Sequence, residues 1–319
     1  MPNWTKSPER PIRISILLFD RFSNLCLANC IEPLRAANSY AAQPIFEWSI
    51  LTPDGRPSKS SSGLEMLGVS ARSDLDQTDY LFTMASYGHE IHDTPATRRL
   101  LRDAARKTRV LIGLDAGPWL MASAGLLDNR RATVHWDLLN VFTEKFLKVT
   151  AERARVVHDG SITTCTGAMS ALDLTLELIE NHLGMAARLE VEALFFHDVK
   201  SLAEAHLFET GDPLVQRAMD IMRDTVEKPL QINRLAKMLS CQPRTLDRHF
   251  RERLGAPPGQ VYRHFRLSAA RKLIEDSYLS VSEISVRCGY DSPAALTRAI
   301  KRQYGASPRV LRQKERERV

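Results

Sequence analysis

The 319-residue chain has no run of about 18 apolar residues, the length a membrane-crossing helix needs. The N-terminus, Met1-Pro-Asn-Trp-Thr-Lys-Ser-Pro, leads into no signal-peptide core, because the apolar run Ile12–Phe19 is short, strand-like and lacks a small-residue cleavage site. A cytoplasmic protein with no membrane partner is the expectation. Five cysteines (Cys26, Cys30, Cys165, Cys241, Cys288) are odd in number and form no CxxC pair, which argues against a zinc site or a disulfide framework. No metal and no cofactor is expected.

What is present is an ordinary globular composition, 44% apolar and 26% charged, which excludes a disordered or collagenous chain. The length exceeds what one core of about 100–200 residues needs, so two domains are expected. Charge divides unevenly between them. Residues 213–319 hold 22 Lys and Arg against 11 Asp and Glu, whereas residues 1–212 hold 22 against 27. A basic module on an acidic body is the electrostatic footprint of nucleic-acid binding, although a solvated basic surface gives the same count.

Sequence pattern separates these two readings. Pro243–Pro258 reads PRTLDRHFRERLGAPP, and fifty positions later Pro293–Pro308 reads PAALTRAIKRQYGASP, with Pro, Leu, Arg, Gly, Ala and Pro at equivalent places. In each copy an apolar pair at i and i+4, Leu246/Phe250 and Leu296/Ile300, marks the buried face of a short helix opened by Pro and closed by Gly. A second short helix precedes each, at Ile232–Leu239 and Val281–Cys288, across a connection of helix-turn-helix length. A longer amphipathic helix over Gln260–Asp276 joins the two units.

These residues, with "LSCQPRTLDRHFRERLG", "VSEISVRCGYDS" and "YGASPRVLR", resemble the DNA-binding domain of the AraC/XylS family of transcription regulators over residues 213–319. Outward positions of the first recognition helix are Arg244, Asp247, Arg248 and Arg251; those of the second are Ala294, Ala295, Thr297, Arg298 and Lys301. Such positions meet base edges when the helix N-terminal turns enter the major groove. Arg248 and Arg298 are the candidates for guanine reading, with phosphate contact or an internal ion pair as the alternative. Lys237, Arg253, Arg263, Arg266, Arg271 and Arg302 are expected at phosphates or in solvent, and the tail after Leu311 is expected to fray.

From residue 11 to about 184, strand-like runs alternate with helical patterns, the signature of an α/β domain with a largely parallel sheet. Strands are predicted at Ile12–Phe19, Phe46–Thr52, Tyr80–Met84, Arg109–Gly113 and Ser161–Thr164. Helices are predicted at Asn24–Ser39, Ala96–Arg106, Pro118–Ala124, Met169–His182 and Ala187–Val199. The expected architecture is thus a flavodoxin-like parallel sheet with helices on both faces over 11–199, a linker over 200–212, and an all-α domain with two helix-turn-helix motifs over 213–319.

The sharpest strand-to-helix turn is Val110-Leu-Ile-Gly-Leu-Asp115-Ala-Gly-Pro-Trp119, which has the form of a nucleophile elbow with Asp115 as the exposed residue. Through "ISILLFDRFSNLCLANCIEPLRAAN", "SSSGLEM", "AGLLDNRRATVHW" and "TTCTGAMSALDL", residues 12–184 resemble the PfpI-type, class I glutamine amidotransferase-like domain. The fusion resembles the GlxA-type subfamily of AraC regulators. In catalytic members the elbow carries a cysteine beside a carboxylate. Here the resemblance puts Asp115 at the cysteine position, Cys26 at the acid position and His135 twenty residues after the elbow. An aspartate cannot perform thiol chemistry, so no catalytic residue is expected.

A carboxylate there suits a cationic ligand, with Trp119, His135, Trp136, Glu32, Cys26, Phe22 and Tyr87 as candidate lining. The plainer readings are an N-cap for Asp115, core packing for the tryptophans, small buried filling for Cys26 and a solvated face for Glu32. The resemblance implies an activator at promoter DNA acting with RNA polymerase, a possible homodimer, in the cytoplasm at the nucleoid. It further implies an effector from amino-acid, choline, betaine or carnitine catabolism. A PfpI-like hydrolase or hydratase fused to DNA-binding helices is the alternative.

Overall fold

The computed structural model describes residues 8–41, 44–71, 78–195 and 212–316, with side chains as far as Gln313. Of the expected linker over 200–212, all but Asp212, which caps the helix that follows, lies outside the described residues. The chain divides into two compact units, one chiefly residues 8–39 and 43–179, the other chiefly residues 180–319.

The first unit runs β1 (Ile12–Leu18), α1 (Asn24–Ser39), β2 (Phe46–Thr52), β3 (Ser58–Lys59), β4 (Glu65–Met66), β5 (Val69–Ser70), β6 (Tyr80–Ala85), α2 (Pro95–Lys107), β7 (Val110–Asp115), α3 (Gly117–Ser123), β8 (Arg131–Ala132), α4 (Leu139–Lys145), β9 (Thr150–Ala151), β10 (Val156–Asp159), β11 (Ile162–Cys165) and α5 (Ala168–Leu183). The main sheet has the order β10-β11-β7-β6-β1-β2-β5. All its pairings are parallel except β10 with β11 at one edge. Its five longer parallel strands therefore follow the flavodoxin-like order 2-1-3-4-5, with the topological switch between β1 and β6. Helices cover both faces. Near-continuous burial along β1, β6, β7 and β11 is what a sheet covered on both faces imposes. The antiparallel edge strand β10 was not foreseen: its four residues, Val-Val-His-Asp, carry too short a pattern.

The second unit holds α6 (Met185–Phe195), α7 (Pro213–Asp224), α8 (Ile232–Met238), α9 (Pro243–Leu254), α10 (Pro258–Asp276), α11 (Val281–Arg287), α12 (Pro293–Tyr304) and α13 (Pro308–Arg316). It has two cores. Leu235, Leu246, Phe250, Val261 and Phe265 belong to the first; Leu267, Ile274, Ile284, Leu296 and Ile300 belong to the second. The repeat seen in the sequence is thus a repeat of structure, one helix-turn-helix per core, with α10 running through both.

Both turns use left-handed backbone two residues past the first helix, at Ser240 (φ +54°) and Gly289 (φ +67°). Glycine is obligatory only in the second, where a Cβ would lie 2.5 Å from Pro229 Cδ and 2.8 Å from the Val226 carbonyl oxygen. Gly255 and Gly305 close the recognition helices in the left-handed conformation, as the sequence pattern predicts.

Two expectations are corrected. Of the helix assigned to the N-terminal domain as Ala187–Val199, residues 196–199 lie outside the described residues and the rest belongs to α6, which packs in the second unit because Ala186 and Leu189 join the core with Val215, Met219 and Leu246. The segment after Leu311 is helical through Arg316, since Leu311 is buried in the second core and anchors the turn that follows.

Candidate functional site

The parallel strands end together, with Ala85 paired to Asp115 and Leu18 to Met84, so the residues after β1, β6, β7 and β11 collect at one rim. In open α/β sheets this rim, at the switch point, is where ligands bind. Asp115 is the last residue of β7 and takes φ +60°, a left-handed state that costs a non-glycine residue about 1–2 kcal/mol. Gly117, two residues on, has no alternative: a Cβ there would lie 2.0 Å from the Thr83 carbonyl oxygen, so only glycine lets α3 start against β6. The elbow is therefore built as the sequence indicates, by a strained residue followed by a close approach of backbone.

Asp115 is only 8% exposed. Ser86 donates its hydroxyl to the Asp115 carboxylate at 2.8 Å, and the His135 backbone N–H donates to the Asp115 carbonyl oxygen at 3.0 Å. Burial pushes the Asp115 carboxyl above the ordinary value, while the Ser86 hydroxyl, the His135 ring and the Ala116 N–H pull it back. Cys26 and Cys165, both fully buried, lie close enough to feel the Asp115 charge. The Cys26 thiol is raised well above its usual value, first by its contact with Cys30 and then by burial and neighbouring charge, which keeps it a neutral packing group. The N-cap reading of Asp115 does not hold: the N-cap of α3 is Ala116, and no side chain caps that helix.

The structure thus brings Asp115, His135 and Cys26 together and adds Ser86 and Cys165, which sequence reasoning passed over. Trp136 (70% exposed) and Tyr87 (63%) stand open next to His135 and Ser86 in the chain. Arg21 was also missed. It follows β1, takes φ +66°, and lays Nη1 3.2 Å from where a Gly88 Cβ would sit. Strand-end position was the available signal for all three.

Three candidates have other surroundings or present no open face to a ligand. Trp119 is a core residue, packed against His89, Phe142 and Phe146 with Lys145 over its ring. Phe22 is fully buried. Glu32 pairs with Arg35 at 2.7 Å, one helical turn away on α1.

In the second unit, α9 buries Leu246, Phe250 and Leu254 and exposes Arg244, Arg248 and Arg251; α12 buries Leu296 and Ile300 and exposes Ala294, Arg298 and Lys301. The two outward triads occupy equivalent positions fifty residues apart. Asp247 accepts from Arg251 at 2.7 Å, so that pair partly neutralises itself, whereas Arg248 and Arg298 have no ion pair among the described residues. Ala295 and Thr297 are half-buried beside the outward face. Lys237, Arg253, Arg263 and Arg302 are exposed, as expected.

Arg266 and Arg271 are not. Arg266 donates to the Cys288 carbonyl at 2.9 Å and to that of Gly289, and stacks on Tyr290, which satisfies orphan carbonyls at the end of α11. Arg271 is buried, pairs with Glu275 at 2.7 Å and lies over the Tyr304 ring. Both lie on the part of α10 that faces the second core.

Residues 235–314 match the helix-turn-helix domain family, and residues 13–181 match the DJ-1/PfpI family. The chain is 34% identical to the HTH-type transcriptional regulator GlxA of Rhizobium meliloti over 95% of its own length and 96% of that protein. The chain belongs to the GlxA group of helix-turn-helix transcriptional regulators. This GlxA-type regulator is also 31% identical to the HTH-type transcriptional regulator CdhR of Pseudomonas aeruginosa, over 92% of this chain and 89% of that one. Among solved structures, an AraC family transcriptional regulator from Pseudomonas putida matches 58% of this chain and all of its own with a TM-score of 0.52 at 25% identity. The regulator therefore carries a DJ-1/PfpI, glutamine amidotransferase-like unit joined to an AraC-type DNA-binding unit. Among the described residues no helix is long and apolar enough to cross a membrane.

Proposed function

We propose that the α/β unit of this regulator is a catalytically inactive sensor. In this reading it takes a small amine or amino-acid-like metabolite, of the amino-acid, choline, betaine or carnitine class, at the rim around Asp115. The single observation that carries this reading is the carboxylate on the elbow. It is strained and nearly buried, with one hydroxyl partner, and the open faces of Trp136 and Tyr87 stand in the neighbouring loops. A cation entering there meets charge in a place of low dielectric, where aromatic faces add about 0.5–2 kcal/mol each. The occupied sensor then favours the form that activates transcription at promoter DNA with RNA polymerase, as a homodimer in the cytoplasm. In that form Arg244, Asp247, Arg248 and Arg251 on α9, and Ala294, Ala295, Thr297, Arg298 and Lys301 on α12, face the grooves.

The test is thermal melting of the full chain against amino acids, choline, betaine and carnitine, with Asp115→Asn alongside. Asparagine is tolerated at φ +60°, so the variant keeps the elbow and loses only the charge. A ligand at about a hundred times its Kd adds about 2.7 kcal/mol of stability. A shift with one cationic compound that Asp115→Asn loses supports the reading; an equal shift in both proteins overturns it. Turnover of a compound that Asp115→Asn abolishes would favour the hydrolase or hydratase alternative.

A further inference from the structure

The two cores of the DNA-binding unit share no residue, and the covalent connection between them is α10, a 19-residue helix that gives its first half to one core and its second half to the other. A helix of that length spans about 28 Å, and the relative placement of the two units depends on how the other helices dock along it. The loop between α7 and α8 packs Val226 and Pro229 on the Gly289 turn, and a further connection comes from α6. Ala186 and Leu189 root this helix in the first core, and Glu190 beside them is buried.

Glu190 Oε1 accepts from Ser268 Oγ at 3.1 Å and from the Tyr304 hydroxyl at 3.3 Å, and His264 Nε2 lies 3.5 Å away. Ser268 and His264 sit at the middle of α10; Tyr304 is the last residue of α12, the second recognition helix. One buried carboxylate oxygen therefore touches the helix rooted in the first core, the join, and the recognition helix of the second core. Burying a carboxylate costs free energy that its partners must offset, and these partners tie α6 to α10 and α12.

We propose that Glu190 is a positioning residue for DNA reading: it staples the two helix-turn-helix units at the spacing from which α9 and α12 enter successive turns of the major groove. Two recognition helices bind as one only when both reach their half-sites together, about one helical turn of 34–36 Å apart; otherwise the gain from linking them is lost. The staple lies within the DNA-binding unit and stands whether or not the α/β unit binds a cation.

The experiment uses the full chain and a DNA site selected by it from random sequence, together with two derivatives of that site in which one half or the other is scrambled. Glu190→Ala is expected to weaken the intact site about tenfold or more while changing each half-scrambled site less than about twofold, because linkage fails and each helix still reads. Glu190→Gln keeps an acceptor oxygen for Ser268 and Tyr304 and is expected to recover most of the loss. Tyr304→Phe, which removes one hydroxyl and no packing, is expected to reproduce part of it. No loss at the intact site in Glu190→Ala, or an equal loss at all three sites, overturns the proposal. If Glu190→Ala fails to fold, wild-type binding by Tyr304→Phe at the intact site overturns it as well.

Discussion

A single methyl group at Gly289 tests how the second helix-turn-helix is held. The residue sits at φ +67°, and an added Cβ would meet Pro229 Cδ at 2.5 Å and the Val226 carbonyl oxygen at 2.8 Å. Left-handed backbone costs a residue with a Cβ about 1–2 kcal/mol, and forcing an atom into a filled space costs about 1–3 kcal/mol. Gly289→Ala should therefore destabilise the second helix-turn-helix by about 2–5 kcal/mol. Ser240 provides the control, since it holds the same backbone state at φ +54° with a Cβ already in place. Ser240→Gly should change stability by no more than about 1 kcal/mol, strain relief and lost chain stiffness opposing each other.

Because the two units need not unfold together, amide hydrogen exchange read separately over α8–α9 and α11–α12 is the suitable assay. A cost of about 2 kcal/mol, at the low end, raises exchange over α11 and α12 about thirtyfold. Gly289→Asn separates the two causes: asparagine accepts the left-handed state but keeps the overlap with Pro229, so it should fall between wild type and alanine. Unchanged exchange over α11 and α12 in Gly289→Ala would refute the reasoning. So would an equal rise over α8 and α9 in Ser240→Gly.

Three more outcomes are expected. Burial raises the Asp115 carboxyl above the ordinary 3.8, so its favourable contribution is complete below that value and is lost as pH rises through the folded-state pKa. Ligand-free Asp115→Asn should accordingly gain on wild type in thermal unfolding as pH rises above 3.8, and a wild-type advantage that grows with pH would contradict this. At the other unit, Asp212 caps α7 through the N–H groups of Leu214 and Val215 and pairs with His249 at 2.5 Å. Despite burial, these partners hold its carboxyl below the ordinary value, so its contribution is present above 3.8 and is lost as pH falls through the lowered pKa. Asp212→Ala should cost about 0.5–2 kcal/mol near neutral pH by the loss of the cap, with Asp212→Asn milder, as measured by exchange over α7. On DNA, Arg248→Ala should relax preference at one base pair by about 1–3 kcal/mol, whereas Arg302→Ala should weaken all sequences alike and lower the salt slope by about one. Binding titrations on the selected site and on random DNA at several salt concentrations distinguish these, and identical behaviour of the two variants would remove Arg248 from the base-reading face.

The sequence alone determined a good deal about this regulator, because the signals were local. Short apolar runs and a helical pattern gave Ile12–Leu18, Asn24–Ser39 and Phe46–Thr52 to within a residue, since each signal is contained in the element's own residues. The repeat at fifty residues gave both recognition helices, their Pro starts and Gly ends, and their outward arginines, since a helix face needs no partner to be recognised. The elbow was legible from Gly113 to Trp119 for the same reason.

Tertiary structure decided whatever depended on which surfaces meet. Trp119 reads as a cage wall or, more plainly, as a core residue, and the choice is made only when Phe142 of α4 and the following Phe146 pack against it. Arg266 and Arg271 look like surface cations on α10 until the end of α11 and Tyr304 close on them. Ser86 and Arg21 reach the rim only because β1, β6 and β7 end in register. Helix α6 carries an amphipathic pattern that says it packs, but not on what; Leu189 and Glu190 find their partners among residues from Val215 to Tyr304. Periodicity specifies a buried face within one element, whereas its partner is fixed by the free energy of fitting distant faces together, which no stretch of a few residues contains.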